Sequence, residues 1–130
     1  MAKLTSKQVN EIANNFLALA QSIGEYRYKN FDSLTKTQNK ILRESHKRTL
    51  DYSDDLYTLS ATLVMNDIKN SLTKLESITK KIKKSYKSLE DVQKSINIAT
   101  SVVTLGASIF SLNPQAIIDS LGNLKDAIKD

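Results

Sequence analysis

The residues able to do chemistry are few in this chain, and most stand alone. His46 is the single histidine, and without cysteine the chain builds no thiolate zinc site, cysteine nucleophile or disulfide framework. Arg43, Glu44, Lys47 and Asp51 lie near His46 in sequence. On a helix, however, Asp51 points well away from the imidazole, so no acid–base pair is expected and His46 reads as a surface histidine. Asp54 with Asp55, and Glu90 with Asp91, suit the first turn of a helix, where carboxylates face the positive end of the dipole. They make poor metal ligands, because no other cluster supplies the remaining oxygens at a recognisable spacing. There is no glycine-rich phosphate loop and no nucleophile elbow. The expectation is a protein that is not an enzyme and uses no metal or other cofactor.

Lysine is the one chemically loaded residue type. Residues 69–87 hold seven of them, Lys69, Lys74, Lys80, Lys81, Lys83, Lys84 and Lys87, against the single acid Glu76, in a chain of net charge +5. On a helix they fall mostly opposite Leu72, Leu75, Ile82 and Tyr86, which makes them first of all a solvated amphipathic face. The functional alternative is contact with an anion through these seven lysines, either an acidic membrane surface or nucleic acid. Nucleic acid is disfavoured, because the stretch has no Arg for bidentate base contacts and no exposed aromatic for stacking.

Directly afterwards, residues 95–118 carry no charge at all. Asn97, Ser101, Thr104, Ser108 and Ser111 recur there at helical spacing, while Ile96, Ile98, Ala99, Val102, Val103, Leu105, Ala107, Ile109 and Phe110 make the rest of the helix apolar over a wide arc. Such a helix is either central in a bundle or in contact with lipid. Residues 96–112 are at the short end for a bilayer span and are diluted by hydroxyls, so a buried bundle helix leads, with conditional membrane insertion second and a constitutive transmembrane helix last. Asn97, Ser101, Val102, Thr104, Ser108, Ile109 and Phe110 are the candidate contacts with a partner or a membrane.

The elements that must position these residues are helical nearly throughout. With 130 residues, 40% of them hydrophobic, the chain suffices for one domain with a core, and three Gly and one Pro leave too few turns for a small β-sandwich or barrel. Thr5 or Ser6 caps a first helix whose stripe is Val9, Ile12, Phe16, Leu19 and Ile23, with Gly24 as an end or weak point. A second helix, starting near Asp32 or Ser33 and running to Leu50, has a thin apolar stripe and should be the most exposed. Ser53 with Asp54 and Asp55 signals a third start. From there apolar residues continue by threes and fours, with a phase slip near Asn66, so that one very long helix is allowed; a break between residues 85 and 88, with Ser88 beginning the next helix, is favoured. Asn113-Pro114 ends one helix near Leu112 and starts the last, which carries Ile117, Leu121, Leu124 and Ile128.

The fold expected is all-α, an antiparallel up-down bundle of four or five helices, with the 96–112 helix most buried and sequence neighbours packed together. The layout of residues 69–130, long helices plus an uncharged helix-turn-helix, resembles helical bacterial pore-forming toxins. In size and composition the chain is also similar to small helical partners of secreted effectors. The likeness is one of layout and transfers no functional residue. The function expected is a helical protein–protein interaction or assembly module, binding a protein partner or a second copy of itself. The alternative is a membrane-active protein that inserts residues 95–118 into lipid. No secretory signal is read at the N-terminus, which makes the cytoplasm the default and leaves signal-independent secretion open.

Overall fold

Local chemistry sets the helix boundaries. In the computed structural model, which describes residues 2–58, 64–65, 68–111 and 113–129, there are five α-helices: α1 (Ser6–Lys29), α2 (Lys36–Thr58), α3 (Ile68–Ser88), α4 (Val92–Phe110) and α5 (Pro114–Ala127). Thr5 begins α1 with a reciprocal capping box to Gln8. Thr35 and Gln38 make the same pair of bonds ahead of α2, so that helix starts a turn later than Asp32 or Ser33, which lie in a short 3₁₀ turn (Phe31–Ser33). Asp91 caps α4 through its bond from the Lys94 amide. Asn113 caps α5, with Pro114 at its first position. Two-residue strands β1 (Ala2–Lys3) and β2 (Val64–Met65) pair antiparallel and tie the start of the chain to the approach to α3.

Other expected boundaries give way as well. Gly24 does not end α1, which runs on to Lys29. Ser53 starts no helix: it lies inside α2, fully buried, and its hydroxyl donates to the Ala13 carbonyl of α1 at 2.9 Å. The favoured break is present, slightly later than expected: α3 ends at Ser88 and α4 begins at Val92, so Ser88 closes one helix instead of beginning the next. The slip near Asn66 lies outside the described residues, as does Leu112.

The molecule is an all-α helical bundle. α1 and α2 form an antiparallel hairpin whose rungs are Arg27 to Asn39 (2.7 Å), Ala20 to His46 (2.7 Å) and Ala13 to Ser53 (2.9 Å). α4 and α5 form a second hairpin, bridged by the Ser108 and Ser120 hydroxyls at 2.6 Å. Around the bundle the helices follow the order α1, α2, α4, α5, α3, with α3 returning to α1. Sequence neighbours therefore pack side by side in the two hairpins, whereas α3 lies along α1 and α5, and its Tyr86 hydroxyl donates to the Ser95 carbonyl of α4. The core runs through Phe16, Leu19, Ile23, Leu42, Leu56, Ile82, Ile98, Val102, Leu105 and Leu124, all but sealed from solvent. Tyr52 joins three helices, with its ring edge-on to Phe16 and stacked on Phe110.

α2 is not the loose helix its thin apolar stripe suggests. It buries Leu42, Ser45, Thr49, Ser53 and Leu56, a stripe at helical spacing made largely of small hydroxyl residues. Small side chains let α1 and α2 approach closely, and their hydroxyls are satisfied by helix carbonyls, Thr49 by Ser45 and Ser53 by Ala13.

Candidate interaction surface

All seven lysines of α3 are exposed, opposite the helix's buried stripe of Ser71, Leu75, Ile78, Thr79, Ile82 and Tyr86. Among the described residues only Lys80 of the seven is ion-paired, with Glu76 at 3.4 Å, and both of those side chains are mostly in water, where such a pair contributes little. The face is thus strongly positive.

The seven do not border a single space. Lys74 and Lys81, two turns apart on one side of α3, border a groove of about 510 Å³ between α3 and α5. Its floor includes Ile78 and Leu121, with Ile118 from α5 left 43% exposed, and Lys125 stands on the opposite bank. The remaining lining is Ser71, Thr73, Ser77 and Gly122, so among the described residues no carboxylate enters the groove. Lys83 and Lys87, on the other side of α3, border a smaller cleft toward α1 with Glu25 and Lys29. There the Lys29 ammonium donates to the Lys87 carbonyl at 3.0 Å and closes the end of α3. Lys69, Lys80 and Lys84 line neither space. Ile118 and Lys125 could not be singled out from sequence, because their partners sit some forty residues upstream and the α3–α5 contact had to be known first.

α4, uncharged from Ser95 onward, is divided too. Val102 and Ile109 are core residues, Ser108 is buried on Ser120, and Ser101 and Phe110 are half-buried. Asn97, Thr100, Thr104, Ala107 and Ser111 face solvent, and Val103, expected in the core, is only half-buried. The hydroxyls on this side bond back along the helix, Thr100 to the Asn97 carbonyl (3.2 Å), Thr104 to Thr100 (3.0 Å) and Ser111 to Ser108 (2.6 Å). Beside this face lies a groove of about 700 Å³ whose other bank is α2, with Glu44, Lys47, Arg48 and Asp51 on its rim and Ile41 and Val103 within.

His46 departs from the expected surface position. It is half-buried between α2 and α1, where its Nδ1 bonds the Ala20 carbonyl at 2.7 Å and its ring fills the space a side chain at Gly24 would take. A carbonyl only accepts, so Nδ1 carries the proton in this bond. The glycine is there to admit the imidazole, which gives His46 a packing role.

Among the described residues, no group of three or more His, Cys, Asp or Glu side chains is placed to hold a metal ion. Among those same residues, no helix is long and apolar enough to cross a membrane. No protein family, curated protein or solved structure matches this chain, so its surface has to be read on its own chemistry.

Proposed function

We propose that this chain is a non-enzymatic interaction module whose α3–α5 groove receives an acidic amphipathic helix of a protein partner. The supporting observation is the groove itself: an apolar floor bordered by Lys74, Lys81 and Lys125 on two banks, with no acid among its described lining residues. A helix laid along it would place its apolar stripe on Ile78, Ile118 and Leu121 and its carboxylates against the lysines.

The probe is a synthetic Leu/Glu amphipathic peptide, compared with its Leu/Lys counterpart by fluorescence anisotropy. The acidic peptide should bind more weakly as salt rises, and the triple change Lys74→Glu, Lys81→Glu, Lys125→Glu should cost it at least about tenfold in affinity. The control Lys80→Glu with Lys84→Glu should cost much less. Equal binding of both peptides, or equal losses in the two variants, would overturn the assignment.

A membrane-active reading draws on a different observation, the outer face of α4 from Asn97 onward, which is uncharged and has hydroxyls already bonded to the backbone. Insertion would require α4 to leave the bundle with Ile98, Val102 and Leu105, all of them buried. Dye release from vesicles with and without acidic lipid separates the two readings, since leakage belongs only to this second one.

A further inference from the structure

The groove between α2 and α4 has a different character from the lysine-bordered one, and its charges point to a different occupant. The excess positive charge is concentrated on α3, whose seven lysines face one acid, so two copies repel each other through that face, and the α2–α4 groove lies away from it. Its rim offers two acids, Glu44 and Asp51, and two bases, Lys47 and Arg48, while the lining from α4 is uncharged Thr100, Val103 and Thr104. Glu44 and Arg48 are one helical turn apart, as are Lys47 and Asp51, yet among the described residues neither pair closes into a salt bridge within the chain. Both signs are therefore presented outward, on a face whose four rim charges cancel.

We infer that this face pairs with a second copy of the same chain about a two-fold axis, α2 running antiparallel to its symmetry mate, so that Glu44 of each copy meets Arg48 of the other. A two-fold interface must complement itself, and a rim with acid and base one turn apart on a single helix does so when the axis passes between them. The floor suits the same arrangement. Ile41 and Val103 are half-buried and gain cover, while Thr100 and Thr104 lose no water bonds they depend on, because their hydroxyls already bond to the α4 backbone. In the helix order around the bundle, the α2–α4 and α3–α5 contacts are separate seams. A dimer formed through the first leaves the second open on both copies.

Sedimentation velocity with charge-reversed variants tests the pairing. The unmodified chain should dimerise as concentration rises. Glu44→Lys alone sets a new ammonium against Arg48 in both contacts, and Arg48→Glu alone sets a new carboxylate against Glu44. Each variant should therefore remain monomeric with an unchanged helical circular dichroism spectrum. Mixed in equal amounts the two should form a heterodimer, because its two contacts each join like-signed variant to opposite-signed partner: the Glu44→Lys chain offers only cations at these positions and the Arg48→Glu chain only anions. A chain that stays monomeric at millimolar concentration overturns the inference. So does a dimer indifferent to both reversals, or a mixture that fails to recover. The α3–α5 lysines take no part, so loss of peptide binding and loss of dimerisation are separate results.

Discussion

Val102 and Val103 are the same residue on successive positions of one helix, and their surroundings make them unequal. Val102 is sealed in the core, whereas Val103 lies at the edge of the α2–α4 groove. Val102→Asp should unfold the protein by burying an unpaired carboxylate, while Val103→Asp should cost roughly 1 kcal/mol or less, with urea denaturation as the measurement. Ser53 poses a related question, because its hydroxyl replaces an apolar contact between α1 and α2. Ser53→Ala should cost about 1 kcal/mol for the lost bond to Ala13, and Ser53→Leu more, since the added bulk forces the two helices apart. Tyr86 links stability to pH. Burial, with nearby Tyr26 acting in the same direction, raises its phenol far above the ordinary range. In the unfolded chain that phenol ionises near about pH 10, so the unfolded state loses the proton first. Its contribution to stability is complete below that pH and declines as pH climbs beyond it. Tyr86→Phe should flatten that alkaline decline, while costing about 1 kcal/mol at neutral pH for the bond to the Ser95 carbonyl.

At the level of helices, two glycines separate propensity from packing. Gly122 on α5 faces open space, whereas Gly106 on α4 lies against the ring of Tyr52. That ring is itself held by Phe16 and Phe110 and has little room to retreat. Gly122→Ala should therefore stabilise by up to about 1 kcal/mol, while Gly106→Ala should lower the melting temperature despite the same gain in helix propensity. The same contrast explains what could be read in the sequence. The stripes of α1, α3 and α5 and the caps at Thr5 and Asn113-Pro114 are legible because the signal lies within a few residues of the feature. The burial of α2 is not, because Ser45, Thr49 and Ser53 count as core only once close helix approach is known. The lysine face is legible as a composition, but its division between two clefts depends on which helices flank α3.

For the molecule as a whole, the hydrophobic pattern announces the fold class, and the order of helices around the bundle supplies what the pattern cannot. The two hairpins are local, whereas α3 runs alongside α1 across some sixty residues of chain, as Tyr26 against Tyr86 and Lys29 on Lys87 record. Folding should inherit that asymmetry. Each hairpin closes over a short turn, while seating α3 carries the larger loop-closure entropy and belongs late on the pathway. Leu19→Ala should then mainly slow refolding in stopped-flow experiments, and Ile82→Ala should mainly accelerate unfolding. In the native state the amides of α3 should exchange with solvent ahead of those in α1, so the helix that carries the lysines is also the one the molecule releases first.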